Sequence, residues 1–466
     1  MRWFLTARRS PVRLAASWLL PVALFMCVFP VPARAESVPL SLEKAIELAL
    51  KNDEALRQAA EAVAGAEGQV TQARSNAFPH FSLAGQYGRN ILKPSFFLPG
   101  EFFEEGGTGS VRIEIGEDND FAGAASVTQV LWAAGRVSAG LNAAREYLSA
   151  YRFRERAVSD YTRFSVKEAY YNVLLAVEML GIERKSSEAA AEAVRIAQAR
   201  FEQGVVSQFD RLRAEVELAN RKAPLVKAQN DLDQALVVLR RRCGLGAGDE
   251  IRLVDSLTAV SHPPGLDTMV AAMRMESAEI KALEHAAGAQ RQLLRIAKAD
   301  RYPMLNFTGS YAVQAQWSNQ WLPPDDLIAK SAAVQIGLQI PIFDGLSAKG
   351  KIHKATADVR TAEIELERVG RDKELAVRQS YLSLENALTS LEGREESVRL
   401  AEEAHRIAVM RLANGLATPL ERLDAELAMT AARAQLVAAK YSSRMAEAYL
   451  ELAVGVRDIG ALAGMK

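Results

Sequence analysis

Glu421 and Asp424 stand three residues apart, just behind the pair Thr418-Pro419. On a helix that spacing sets both carboxylates on roughly one face. The chemistry they offer is electrostatic, and an ordinary solvated helix face has the same appearance in sequence. Three other residues define the setting. Gly415 suits the left-handed end of a preceding helix, and Thr418-Pro-Leu-Glu421 reads as a capping box with Pro419 at the first helical position. The pattern occurs twice. Gly204 is followed by Ser207-Gln-Phe-Asp210, a second capping box, and the place matching Asp424 holds Arg213. Capping alone accounts for Asp210 and Glu421, since each carboxylate satisfies backbone donors and suits a helix N-terminus. Asp424 has no such explanation.

Nothing else resembles a reaction centre. The five histidines (80, 262, 285, 353 and 405) are scattered without paired ligand spacing, and there is no phosphate-cradling glycine loop or nucleophile elbow. No catalytic residue, metal site or cofactor is expected.

The elements that carry these turns come from an internal repeat. Arg200-Phe-Glu-Gln-Gly204 with Asp210, Leu212, Ala214 and Glu215 returns 211 residues later as Arg411-Leu-Ala-Asn-Gly415 with Glu421, Leu423, Ala425 and Glu426. The same offset pairs Val130-Leu131-Trp132 with Pro341-Ile342-Phe343, and Tyr170 with Tyr381. Further upstream, Phe78-Pro79-His80-Phe81 with Gly85 and Tyr87 answers Tyr302-Pro303-Met304-Leu305 with Gly309 and Tyr311, at an offset of 224. The 13-residue difference places an insert in the first half, within the Gly-, Phe- and acid-rich stretch 90–121.

Each half then has one order of parts. A helix (about 43–75, then 267–300) leads through Pro79 or Pro303 into a strand. Strands are expected at about 81–89 and 122–132, then at 305–315 and 332–343. Apolar residues alternate with small or polar ones, as in Leu305, Phe307, Gly309, Tyr311 and Val313. That period suits membrane strands between lipid and a wet lumen; it also suits a soluble hairpin with one solvated face. Proline-free helices follow at about 136–202 and 347–413, each about 100 Å long at 1.5 Å per residue. Val166, Tyr170, Val173, Val177 and Leu180, like Val377, Tyr381, Leu384, Leu388 and Leu391, step by coiled-coil intervals. Returning helices at about 208–243 and 419–454 complete hairpins whose tips lie near 203–210 and 414–421. Pro224 should kink or break the first of these. The domain plan is therefore a first repeat at 36–244, a linker at 245–266, a second repeat at 267–455 and a tail at 456–466.

Residues 1–35 predict a signal peptide. Arg2, Arg8, Arg9 and Arg13 precede an apolar run ending before Ala33-Arg34-Ala35; Pro21 and Pro30 interrupt that run, against a membrane anchor. These residues hold five arginines and no acid, so the rest of a chain balanced at 57 basic and 57 acidic residues carries net −5. No nucleic-acid partner is expected from that balance. Four strands are too few for a membrane barrel, and open edges in lipid would leave backbone groups unsatisfied. Copies must therefore share a barrel, two giving eight strands and three giving twelve.

Signal peptide, twofold repeat, Pro-started strand pairs and paired G-x-x-[ST]-x-x-[DE]-x-L turns together resemble the TolC family of outer-membrane efflux and secretion channels, from about Leu40 to Gly455. The resemblance implies a mostly α protein with a membrane β-barrel portion: a homotrimer whose twelve-stranded barrel continues into a periplasmic α-helical tunnel. It implies outer-membrane lipid around the barrel, and a periplasmic adaptor and an inner-membrane pump, proton- or ATP-driven, as partners. Location would be the outer membrane of a Gram-negative-type bacterium, and stretch 90–121 the first extracellular loop. By the same resemblance Glu421 and Asp424 line the periplasmic aperture. Some members lock the tip with an Arg after the second glycine and a Tyr before it. Here those stretches read Leu416-Ala417 and Arg411-Leu412-Ala413, so Arg211 or Arg422 paired with Asp210 is the expected substitute. The leading expectation is a passive exit duct for small molecules (drugs, toxic compounds or metal ions). The alternatives are a type I protein-secretion duct and a periplasmic coiled-coil adaptor or rod, against which the duplicated strand alternation argues.

Overall fold

Two proline-free runs of 67 residues form the longest helices of the chain, α3 (Arg136–Glu202) and α7 (Ser347–Ala413). Each is returned by a 36-residue partner, α4 (Gln208–Cys243) and α8 (Pro419–Val454). Equal lengths in both halves are the structural form of the sequence repeat. The computed structural model describes residues 38–99, 109–246, 248–258, 260, 262–318 and 320–460; the expected signal peptide lies outside them.

Both long helices start from the same unusual turn. Ala134-Gly135 and Gly345-Leu346, matched at the 211 offset, are pairs of consecutive left-handed residues. Each pair has one glycine and one strained side-chain residue, in opposite order.

The coiled-coil stripe is buried as expected at Val166, Tyr170, Val173, Val377, Leu384, Leu388 and Leu391. Val177 departs from it and is exposed. Two apolar cores result. One gathers Val166, Tyr170 and Val173 with Leu239, and the other gathers Val377, Leu384 and Leu388 with Leu450, Met269 and Met273. Pro224 does not end α4. Asn220, whose carbonyl loses its intrahelical partner to the proline, is solvent-exposed, so water can take that bond.

The shorter helices correct two expectations. Segment 43–75 is two helices, α1 (Leu42–Asn52) and α2 (Glu54–Ser75), and segment 267–300 is α5 (Leu266–Glu276) and α6 (Ala278–Ala299). The breaks fall at Asp53 and Ser277, whose side chains accept from the amides of Leu56 and Ile280. Short polar side chains compete with helix continuation by capping a new start. The expected linker 245–266 is also more than a linker. Its β6 (Ile251–Leu253) pairs in parallel with β1 (Val38–Leu40). Asp255 accepts both the Leu42 amide (2.9 Å) and the hydroxyl of buried Tyr170 (2.7 Å). Three-residue strands are too short to announce themselves by periodicity.

The main sheet has four antiparallel strands in the order β2 (His80–Arg89), β5 (Asn119–Trp132), β7 (Met304–Trp317) and β8 (Ile328–Gln339). Pro79 and Pro303 immediately precede β2 and β7, where a missing N–H costs no ladder bond. Strand β8 both starts and stops about four residues earlier than 332–343. Its partner β7 begins only after Pro303, and Pro341 has no donor for a ladder.

Register keeps one chemistry on each face. Phe81, Val127, Gly309 and Val334 lie side by side across the four strands, as do Leu83, Ala125, Tyr311 and Ala332. The opposite face carries Ser82, Ser126 and Ser310 in one row and Thr128, Thr308 and Gln335 in another. The polar exceptions on the apolar face lie toward its ends, Gln129 at one and Arg89, Asn119 and Lys330 toward the other. Much of the apolar face is uncovered: Phe81 is 81% and Leu83 85% exposed, whereas Ala315 and Trp317 toward one end are buried. In water that arrangement would be an aggregation surface; against hydrocarbon it is stable.

Within the 90–121 insert, a two-stranded ribbon of β3 (Ser95–Pro99) and β4 (Ser110–Glu114) extends beyond the sheet. Lys93 bridges Glu117 and Asp118 at its base. Among the described residues, no helix is long and apolar enough to cross a membrane.

Candidate functional site at the hairpin tips

Each hairpin turns through a Schellman-type end. The amide of Val205 donates to the Arg200 carbonyl and that of Gly204 to Phe201, both at 2.9 Å. In the second turn Leu416 donates to Arg411 (2.8 Å) and Gly415 to Leu412 (3.1 Å). The two glycines have φ of +71° and +70°, and a Cβ on either would meet nothing within 4 Å. Their backbone angle, not space, requires glycine there.

The caps that follow are not equal. Ser207 and Asp210 form a complete box: Asp210 N–H donates to Ser207 Oγ (3.2 Å), and Ser207 N–H donates back to Asp210 Oδ2 (3.3 Å). Ser207 Oγ also lies 2.7 Å from Asp210 Oδ2. In the second turn Glu421 N–H donates to Thr418 Oγ1 (3.2 Å), but no return bond reaches the Thr418 amide. The expected second box is thus half built. Pro419 occupies the first helical position, and the Glu421 carboxylate leans toward Arg411 at 3.7 Å. Ser207→Ala is expected to cost about 1 kcal/mol of local stability, seen as faster amide exchange over 208–211. An unchanged exchange rate there would refute the cap.

Asp424 is exposed and has no hydrogen bond or ion pair among the described residues. Arg213, its counterpart in the first repeat, is exposed as well. Only the second turn therefore presents an exposed acid at both of these positions; the first has Asp210 and Arg213.

The expected ion pair between Asp210 and Arg211 or Arg422 is not formed within the protomer. Arg211 donates to Gln198 Oε1 (3.3 Å), pairs with Glu215 (3.4 Å) and stacks over Phe201, 5.3 Å from the ring centroid. Arg422 pairs with Glu426 at 3.0 Å, one turn along its own helix. An i, i+4 partner is always within reach on a helix, and each arginine takes it. Asp210, Arg213 and Arg422 do line one narrow groove of about 70 Å³ between the two tips. The structure brings the tips together there without an ion pair to Asp210.

One functional-looking cluster was not legible in the sequence. Lys167 on α3 and Glu451 on α8 form a buried ion pair, joining the two repeats across 284 residues of chain. Asp160, Arg163 and Arg457 line the same small cavity, of about 60 Å³. Burial pushes the Glu451 carboxyl up to about 7, against the opposing pull of Lys167. It also raises the Asp160 carboxyl.

An open sheet with one lipid-compatible face, standing on paired helical hairpins of about 100 Å, defines a membrane-channel protomer. The outer membrane efflux protein family model matches residues 45–245 and 271–456, one stretch in each repeat. The chain belongs to this family, and with it to the outer membrane. It is 26% identical over 329 residues to the alkaline protease secretion protein AprF of Pseudomonas aeruginosa, over 68% of this chain and 65% of that protein. The matched stretch thus spans slightly less than two thirds of that relative. Identity to the cobalt-zinc-cadmium resistance protein CzcC of Cupriavidus metallidurans is 24% over 408 residues, 87% of each chain. The crystal structure of the Campylobacter jejuni CmeC outer membrane channel superposes with a TM-score of 0.74 at 18% identity, covering 89% of this chain and 85% of that one. That likeness carries the fold.

Proposed function

We propose that three copies of this chain close one twelve-stranded barrel and form the passive outer-membrane exit duct of a tripartite efflux system for small molecules. The observation that carries this reading is the four-stranded sheet with a largely uncovered apolar face and two free edges. It needs lipid on that face and other copies at its edges. A periplasmic adaptor would dock on the helical part, and an inner-membrane pump would supply the energy. At the tips, Glu421 and Asp424 of three copies would ring the periplasmic aperture and favour cations there.

The match to a secretion protein supports a second reading, a duct for secreted proteins, and the match to a metal-resistance protein supports the first. Removal of the gene separates them. Increased sensitivity to small toxic compounds with an unchanged set of secreted proteins is the expected result; loss of a secreted protein alone would favour the second reading. Recovery as a monomer in the soluble periplasm, rather than as heat-modifiable outer-membrane trimers, would overturn both.

A further inference from the structure

The two strand hairpins have the same register. Gly85 lies opposite Gly123, and at the repeat offsets of 224 and 211 Gly309 lies opposite Val334. No slip separates the halves, so the offsets translate one pairing into another residue by residue. A third pairing joins the halves, where β5 meets β7 and Val127 faces Gly309. That glycine is needed: a Cβ on Gly309 would stand 2.9 Å from Val127 Cγ1.

Gly85 is the counterpart of Gly309, yet inside the protomer a Cβ there would meet nothing within 4 Å. A glycine weakens a strand and often marks a close approach by other backbone or side chain. The counterpart of Val127 is Leu338, exposed on β8 at the opposite edge of the sheet. We infer that β8 pairs with β2 of a second copy in the register copied from β5 and β7, seating Leu338 over Gly85 of that copy.

Neighbouring pairs follow without adjustment. Ile336 falls opposite Tyr87 and Ile340 opposite Leu83 of the next copy, all on the apolar face. The β5–β7 ladder slips between Val130 and Trp132, and the copied slip falls at Pro341–Phe343. Ile342 becomes the bulged residue, and Phe343 meets Phe81. In the single copy Ile342 is 95% exposed. The helices point the same way. Phe164 on α3 packs on Tyr449 of α8 with ring centroids 4.6 Å apart, and their counterparts Leu375 and Val238 are both left exposed in one protomer. A head-to-tail contact of this kind closes a ring when the rotation allows.

The inference rests on the shared-barrel reading, and cross-linking in outer membranes separates the two. In a Cys243→Ser background, Leu83→Cys with Ile340→Cys places two thiols directly opposite; Leu83→Cys with Leu338→Cys is offset by two residues. Opposed Cβ atoms lie about 4.5–5.5 Å apart and diagonal ones about 7–8 Å, against about 3.5–4.5 Å in a disulfide. Mild oxidation should give covalent dimers and trimers at least about tenfold more from the first pair. Trimers in which the offset pair links as well, or neither pair links, would overturn the register and leave the barrel reading standing. Absence of trimers in the unmodified protein would overturn the barrel reading. Gly85→Val should lower trimer yield about tenfold through overpacking, and adding Leu338→Ala should restore it; failure of that rescue would also overturn the register.

Discussion

Asp424→Asn is expected to weaken block of the reconstituted channel by a trivalent cation about five- to tenfold, with little change in protein yield. The side chain is exposed and bonds to nothing in the described protomer, so its removal should leave the fold intact. Its value lies in repetition around a ring. At about 10 Å in water, one unit charge acting on another is worth about 0.4 kcal/mol. Three carboxylates acting on three charges multiply that ninefold, and screening over a Debye length of about 8 Å reduces the sum to about 1 kcal/mol. Glu421→Gln should add a similar loss. It would cost little stability, because the pair it loses with Arg411 is long and exposed, and the amide bond to Thr418 survives the substitution. Block that is unchanged in planar bilayers carrying Asp424→Asn would show that Asp424 is an ordinary solvated residue, and that the tip acids serve the fold alone.

The contrast between the two tips explains how much of this site could be read without coordinates. Gly204 and Gly415 are tied to a local backbone angle, and Ser207 and Asp210 to a cap three residues long, so residue type and spacing suffice. The arginines pair differently within the protomer for a physical reason. Arg211 and Arg422 each have a carboxylate one turn along the same helix, Glu215 and Glu426, and a partner already in place needs less ordering than one across a turn. The strands were legible in their alternation but not in their ends, because β8 stops opposite the start of β7 and not where its own apolar pattern does. Asp53 and Ser277 lie inside runs with helical periodicity, and only their caps reveal the breaks. The joint between repeats was invisible for a further reason. The positions matching Lys167 and Glu451 are Arg378 and Arg240. Comparing the halves therefore predicts no ion pair there, and two residues 284 apart give no local pattern.

That joint carries the other large effect. Glu451→Ala is expected to destabilise the helical part by about 3–5 kcal/mol, because it leaves the Lys167 ammonium buried without its counter-charge. The side chains are 17% and 9% exposed, so water can do little to replace the lost partner. Glu451→Gln tests the same place by pH. The carboxyl is held at about 7 mainly by burial; Lys167 opposes that shift, and Glu447 and Asp458 reinforce it. A folded-state value above the ordinary 4.5 means that the folded protein holds the proton more tightly than the unfolded chain. Its contribution is therefore fully present below about 4.5, declines as pH rises, and is lost above about 7. Two to three pH units correspond to about 3–4 kcal/mol at most. Helix melting followed by circular dichroism should show the wild type losing stability between pH 5 and pH 8 relative to Glu451→Gln. Asp160, Arg163 and Arg457 are common to both proteins and cancel in that comparison. The opposite trend, a wild type that gains on Glu451→Gln as pH rises, would mean that attraction to Lys167 outweighs burial. The pair would then be a net stabiliser of the α3–α8 seam at neutral pH, rather than a cost offset by the apolar packing of Phe164 and Tyr449 beside it.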